Sequence, residues 1–305
     1  MSKAGSDDQL VNVEGRQLRL RRLGKVLYPE AGTTKAQVLD YYARIAPVLL
    51  PQLADRPVTR IRWPDGTGAK PFFEKNIPSH APEWLRTVVL PTPGSSRDRE
   101  TLQFPLIDDT AGLIWAANLA ALELHVPQWR LGPRGGIHHP DRLVVDLDPG
   151  PPAGLDECAG VALLIRQRLE ADGLSAIPVT SGSKGLQLYA PVSGEQSASL
   201  VSGYAKKLAE LLAREHPDLV VAKMAKQFRP GKVLLDWSQN HPAKTTICPY
   251  SLRGRTEPWA AAPRRWQELQ GSGLVQLTGA EVLDRLRRYG DLAAGLFDGG
   301  PRLPG

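Results

Sequence analysis

Val144-Val145-Asp146-Leu147-Asp148-Pro149-Gly150 is the stretch that decides how this chain is read. Its β-branched, apolar opening reads as a buried strand, and Pro149-Gly150 ends it in a turn. Side chains two apart on a strand share a face, so Asp146 and Asp148 present two carboxylates together, flanked by Val144, Val145 and Leu147. Burying two like charges is costly unless something cationic sits between them. Hard oxygen ligands suit Mg²⁺ or Mn²⁺. Asp236 ends a second apolar run, in VLLDWSQN over 233–240, and would supply a third carboxylate to a two-metal phosphoryl-transfer site. Alone, a D-x-D also describes a polar strand end running into a Pro-Gly turn, and that reading stays open here.

Between the acidic strands lies PVTSGSKGLQLY, Pro178 to Tyr189. Apolar residues on both sides of the glycines predict strand, tight loop, strand. Glycines permit positive φ and close backbone approach, and successive N–H groups in such a loop can cradle an anion. Ser181, Gly182, Ser183 and Lys184 add hydroxyls, a free backbone path and a point charge, as a triphosphate requires. The loop is not a Walker loop, since G-x-x-x-x-G-K-[ST] is absent and no helix follows it. A Ser-Gly hairpin turn has the same composition; the neighbouring aspartates favour the phosphate reading.

A basic block brackets Asp236. Lys223, Lys226, Arg229 and Lys232 precede it, and Lys244, Arg253 and Arg255 follow within KTTICPYSLRGR. Arginine suits bidentate phosphate recognition. Arg229, Lys244 and Arg253 are therefore taken as nucleotide contacts and Arg255 as a DNA contact, against the alternative of a solvated basic surface.

Together, HVPQWR (His125 to Arg130), DLDPG, TSGSKG, GKVLLDWSQN and KTTICPYSLRGR resemble the polymerase domain of bacterial ligase D, within the archaeo-eukaryotic primase superfamily. The likeness runs from about Leu23 to about Leu292, with the motifs in the family's order. It implies an α+β primase-polymerase fold, with an RNA-recognition-motif-like catalytic sheet and an N-terminal α/β half packed on it. It implies template-directed addition of ribo- or deoxyribonucleotides to a DNA primer 3′-hydroxyl, in gap filling and end joining. Two Mn²⁺ or Mg²⁺ ions per site are implied as cofactors. Asp146, Asp148 and Asp236 match the family's metal ligands. His125 matches a histidine near the metals and nucleotide, and Ser181, Lys184 and Arg253 match triphosphate contacts. Lys25 in KVLYP and Lys35 in GTTK match lysines that hold the 5′-phosphate of a broken end. Phe72 and Phe73 in PFFEK match aromatics near the template. Gln187 departs from the family, which commonly has histidine there; an amide can donate to phosphate but carries no charge. Implied partners are DNA with gaps or broken ends, nucleoside triphosphates, Ku and a separate ligase. The sequence contains no ligase or phosphoesterase segment, so an excised domain or a stand-alone relative is expected.

Composition agrees without deciding the matter. The chain has 305 residues, 42% hydrophobic, with a net charge of +6, which suits nucleic acid and many metabolic enzymes alike. Cys158 and Cys248 lack metal-ligand spacing and read as reduced thiols of a cytoplasmic, nucleoid-associated protein. No signal core opens the chain, and no run approaches the roughly eighteen apolar residues of a membrane span. Residues 1–10 read as a flexible tail, 11–295 as one domain in two halves, and 296–305 as a fraying tail. Thr34 to Gln37 is a capping box opening a helix that Pro51 and Pro57 break. Residues 110–124 read as one apolar helix around Trp115, while 155–172 and 197–215 read as amphipathic helices. His138-His139-Pro140 and the 91–103 segment, with Arg97 and Arg99, read as loops; the latter could touch DNA ends. Two other functions remain open at this point. One is a metal-dependent nuclease or phosphoesterase using the same carboxylates. The other is a non-catalytic DNA-end-binding module.

Overall fold

The computed structural model describes residues 8–92 and 100–304. Arg97 and Arg99 lie outside the described residues. Helices and strands are mixed along the chain, as an α+β fold requires. The residues divide into two compact units. One runs up to His125 and takes back Ser251–Trp259; the other comprises Val126–Tyr250 and the residues from Ala260 on.

In the first unit, β1 (Gln9–Val13) pairs with β2 (Arg16–Leu20), so Gln9 and Leu10 open a hairpin rather than belong to a tail. Next, β3 (Val26–Tyr28) and β4 (Thr33–Thr34) lead into α1 (Lys35–Leu53). The capping box is formed: the Gln37 amide donates to Thr34 Oγ1, and the Gln37 side chain accepts from Thr34 N at 2.7 Å. Pro51 does not break this helix, and neither does Pro47. A helical proline strips a hydrogen bond from the carbonyl four residues back. Here the carbonyls concerned belong to Ala43 and Pro47. Those residues and Pro51 lie on an exposed stripe where water can replace the lost bonds.

Next, β5 (Thr59–Arg62) pairs antiparallel with β6 (Phe72–Glu74) on one side and, later in the chain, β9 (Ala121–Val126) on the other. Pro91 and Thr101–Gln103, at the two ends of the 91–103 segment, belong to the paired strands β7 (Thr87–Pro91) and β8 (Thr101–Pro105). The helix expected over 110–124 is shorter: α2 (Thr110–Asn118) ends where Ala120 adopts φ +58°, and Ala121 onward is the strand β9. Ala111 to Ala117 is apolar without a break, so periodicity there did not fix where the helix ends.

The second unit opens with a hairpin of β10 (Trp129–Leu131) and β11 (Ile137–Pro140), which puts His138 and His139 on a strand, not a loop. Then come β12 (Arg142–Pro149), α3 (Leu155–Ala171), β13 (Ile177–Thr180), β14 (Leu186–Pro191), α4 (Ala198–Glu215), β15 (Val220–Val221) and β16 (Val233–Asp236). They form a six-stranded sheet ordered β15-β16-β12-β14-β13 and the strand Ala262–Pro263. Its ladders are antiparallel except β15–β16. Leu143, Val145 and Leu147 of β12 join Leu186, Leu188, Val233 and Leu235 in one core with Ile165 of α3 and Leu208 of α4. Each fully buried leucine or isoleucine contributes about 1.5–3 kcal/mol. Strand alternation then fixes what stands on the other face: Asp146, Asp148, Gln187, Tyr189 and Asp236.

The C-terminal segment is docked. After α5 (Gly279–Tyr289), Phe297 takes the guanidiniums of Arg130 and Arg142 at 5.8 and 5.6 Å from its ring centre. Leu303 is buried, and the Gln196 amide grips its backbone twice, at 2.7 and 2.9 Å.

Candidate active site

The sheet register lines up the acidic residues. Asp146 of β12 lies directly opposite Gln187 of β14 on one side and Asp236 of β16 on the other. Asp148, two residues on, shares the face. Gln187 is engaged with neighbours on the same sheet face. Its Nε2 donates to Asp146 Oδ1 at 3.0 Å, and its Oε1 accepts from the Tyr189 hydroxyl at 3.0 Å. Tyr189 in turn lies 2.7 Å from the Ile247 carbonyl. The amide is buried and points one way only: its NH₂ must meet the carboxylate and its oxygen the hydroxyl.

Asp236 is held differently. Its carboxylate accepts from Ser238 N at 3.0 Å, from the Ser238 hydroxyl, and from Gln239 Nε2 at 3.1 Å, capping the short turn after β16. Lys244 Nζ is 3.9 Å from Asp236 and bonds the Ser238 hydroxyl, which places Lys244 on an aspartate of this face. Asn240, at the end of the same turn, bonds both the N–H and the carbonyl of Val144, at 2.9 and 2.7 Å, and so continues the ladder where β16 stops.

Two glycines bring loops onto the D-x-D strand. A Cβ on Gly185 would meet the Leu147 carbonyl oxygen at 2.0 Å, so only glycine lets the Ser181–Gly185 loop lie against β12 between the two aspartates. A Cβ on Gly150 would meet the Arg229 carbonyl oxygen at 2.1 Å. Backbone bonds from Gly150 N to Lys232 O and from Gly231 N to Gly150 O complete that clasp. Arg229 is thereby fixed beside the end of β12; its Nη2 donates to Met224 O at 2.6 Å. In the hairpin loop, Gly182 has φ +67°, and Ser181 is buried while Lys184 is exposed. The Gly182 N–H is taken by the Gln276 side chain at 2.7 Å.

In the first unit a second constellation forms. Glu123 of β9 accepts from His125 Nε2 at 2.8 Å and from Gly254 N at 3.1 Å, and is ion-paired with Arg253 Nη1 at 3.2 Å. The Tyr28 hydroxyl holds the Arg253 carbonyl at 2.8 Å. Arg255 is exposed. Lys25 and Lys35 are neighbours through a backbone bond, Lys35 N to Lys25 O. Lys35 is only 7% exposed, and its Nζ donates to the Arg21 carbonyl at 2.7 Å. Lys25 pairs with Asp65 at 3.1 Å. Phe72 and Phe73 are 58% and 57% exposed, an apolar pair left uncovered on β6.

Of the residues named from sequence, the structure gathers the aspartates, the Ser-Gly-Ser-Lys loop, Arg229 and Lys244 in one unit, and His125 and Arg253 in the other. The sequence reading passed over Glu123, Tyr189 and Gln276. Glu123 lies two residues before His125 on an alternating strand, which was the available signal. Gln276 and Tyr189 had none, since their roles come from distant partners. Among the described residues no three His, Cys, Asp or Glu side chains converge closely enough to hold a metal ion. Asp236 is turned onto its own cap instead. Carboxylates at adjacent strand positions nevertheless match a hard divalent cation in donor chemistry. Cys158 is no alternative ligand: it packs in the core behind the sheet, and burial, with the charges of Asp148 and Asp146, pushes its thiol far up.

Comparison with known proteins places this arrangement. The family model for the LigD primase-polymerase domain matches residues 34–293. The LigD multifunctional non-homologous end joining protein of Mycolicibacterium smegmatis is 47% identical over 283 residues, covering 92% of this chain and 36% of the relative. The bifunctional LigD protein of Bacillus subtilis is 32% identical over 276 residues, covering 90% of this chain and 43% of the relative. The chain thus spans less than half the length of these relatives. The solved polymerase domain of Mycobacterium tuberculosis ligase D, in complex with DNA, superposes with a TM-score of 0.88 at 46% identity, covering 93% of this chain and 99% of that one. The chain belongs to the LigD primase-polymerase domain family.

Proposed function

We propose that this protein is a template-directed nucleotidyltransferase that adds ribo- or deoxyribonucleotides to a DNA primer 3′-hydroxyl during gap filling and end joining. The observation that carries the reading is the juxtaposition at β12. A D-x-D pair has an aspartate on the neighbouring strand, and a Ser-Gly-Ser-Lys loop is pressed onto the same strand by a glycine that admits no side chain.

Asp146, Asp148 and Asp236 are the residues that would hold Mn²⁺ or Mg²⁺, two ions in this reading. Bound there, the metal lowers the pKa of an attacking hydroxyl and neutralises charge on the leaving pyrophosphate. Ser181, Gly182 and Lys184 orient the triphosphate, with Arg229 and Lys244 adding positive charge. Gly182 N–H becomes available to phosphate when the Gln276 side chain gives it up. His125 and Arg253 are assigned to the nucleotide as well. Lys25 and Lys35 take the 5′-phosphate of the broken end, and Phe72, Phe73 and Arg255 contact DNA. The relative's complex with DNA supports the choice of polymer. Ku and a separate ligase are the partners this role calls for, in the cytoplasm and on the nucleoid. No helix among the described residues is long and apolar enough to cross a membrane.

Extension of a labelled gapped duplex with each nucleotide, in Mg²⁺ or Mn²⁺, tests the reading. Wild type should lengthen the primer by template-matched additions, and Asp148→Ala should abolish addition while keeping DNA affinity. That affinity comes from many dispersed cations. Shortened primers in place of extended ones would mean a nuclease, and retained extension in Asp148→Ala would overturn the metal-ligand assignment.

A further inference from the structure

We infer that Glu123 is the positioning residue for His125 and Arg253: one buried carboxylate that makes His125 a neutral acceptor and Arg253 an oriented donor. The inference rests on the nucleotidyltransferase reading and names a residue that reading does not use.

Geometry carries the argument. Glu123 is 4% exposed, and its two oxygens face three groups: His125 Nε2 hydrogen-bonded to Oε2, Arg253 Nη1 ion-paired with the same Oε2, and Gly254 N hydrogen-bonded to Oε1. A carboxylate only accepts, so the His125 Nε2 must carry its proton. His125 and Glu123 stand on the same face of β9, two residues apart. Arg253 is brought to them by the segment Ser251–Arg253. The Ser251 hydroxyl accepts from Leu124 N at 2.9 Å, and Tyr42, bonded to Leu122 O, accepts from Leu252 N at 3.2 Å. The close approach has a sequence cause: a Cβ on Gly254 would fall 2.3 Å from the Trp63 ring.

The charge balance points the same way. The groups that act on His125 are Glu123 and Arg253. Burial pushes the His125 ring below its ordinary range, and the Glu123 hydrogen bond and charge only partly restore it. At neutral pH the ring is then the Nε2–H tautomer, and Nδ1 is a bare lone pair. Burial alone would raise the Glu123 carboxyl. The hydrogen bond from His125, the charge of Arg253 and the Gly254 N–H outweigh it and keep the group ionised. The Arg253 guanidinium is held beside that carboxylate by the ion pair, and its Nε is buried without a hydrogen-bond partner. His125 and Arg253, both assigned to the nucleotide, have different tasks. His125 offers an acceptor to a hydroxyl, and Arg253 offers the charge for phosphate.

The test combines a spectroscopic and a kinetic readout. In wild type labelled with ¹⁵N-histidine, with His125→Asn for assignment, His125 should show a protonated Nε2 and a bare Nδ1 at neutral pH. The reverse tautomer overturns the inference, and this measurement needs no active enzyme. In primer extension, Glu123→Gln keeps the shape but loses the charge. It should lower kcat/KM for nucleotide roughly 10- to 100-fold, the range for partners that orient ligating groups. The acid limb of its pH profile should move to lower pH, because His125 loses the carboxylate that raises it. Glu123→Asp should recover part of the loss. A Glu123→Gln enzyme with unchanged kcat/KM and an unmoved acid limb overturns the inference while leaving the polymerase reading intact. A wild type that extends no primer overturns the polymerase reading first.

Discussion

Recognition of a 5′-phosphate through Lys35 should fade as the pH rises through about 8. Lys35 is buried at the first turn of α1, and its pKa is lowered from 10.5 to about 8 by burial first, then by the charges of Arg22 and Lys25. The sign follows from proton linkage. Folding favours the neutral amine, so the buried lysine costs stability as the pH falls from its ordinary pKa towards 8, by ~3 kcal/mol. A phosphate needs the charged form and reverses that preference by raising the pKa when it binds. Phosphate affinity is then complete well below pH 8 and lost above it. With a free-state pKa near 8, the protonated share falls about tenfold between roughly pH 7 and pH 9, equal to ~1.4 kcal/mol of binding. An unperturbed surface lysine would hold its charge across that interval.

Competition binding with gapped duplexes that differ only in a 5′-phosphate or 5′-hydroxyl isolates the effect, because the ratio cancels general changes in DNA affinity. The ratio should drop about tenfold from roughly pH 7 to pH 9 in wild type. Lys35→Arg should flatten it, since a guanidinium keeps its charge over the interval. Lys25→Ala, Lys35→Ala should erase the preference while leaving slow extension of an ordinary primer. A wild-type ratio that stays constant to pH 9 would remove Lys35 from the phosphate, whatever its burial.

Three further outcomes follow from the site and the fold. Gln187→Ala should lower kcat with little change in KM for nucleotide, by about tenfold if the lost bond to Asp146 is worth ~1.5–3 kcal/mol and is partly replaced by water; a KM effect with normal kcat would return the side chain to the triphosphate. Gly185→Ala must displace the Leu147 carbonyl, so it should cost roughly 3 kcal/mol or more, visible in thermal melting, together with loss of extension. Leu303→Ala should destabilise by ~2–3 kcal/mol in the same assay, whereas a fraying tail would show no change.

Much of this site could be read along the chain because its signals are local. The capping box at Thr34, the strand ending in Asp146 and Asp148, and the hairpin around Gly182 each depend on residues within one turn or one strand. What escaped depended on distant partners. Gln187 looked like a phosphate contact because its loop does, but its register opposite Asp146 turns its amide onto a carboxylate. Glu123 lay inside a run that reads as helix until Ala120, at φ +58°, starts a strand and puts Glu123 and His125 on one face. The docked C-terminal segment gave no signal, since Gln196 meets Leu303 across 107 positions.

The two anchored aspartates show what the sheet contributes to the chemistry. Asp146 is oriented across the ladder by a neutral amide whose own direction is set by Tyr189. Asp236 is oriented by the turn that follows it, and Lys244 stands close. Neither carboxylate is left to find its rotamer when a cation arrives, which lowers the ordering entropy of assembly. The arrangements are not equivalent, however. The amide on Asp146 is neutral, whereas Lys244 brings a cation close to Asp236. Nucleotide binding that drew Lys244 towards phosphate would free Asp236 at the moment it is needed. On this argument Asp236 would be released to a cation only with substrate in place.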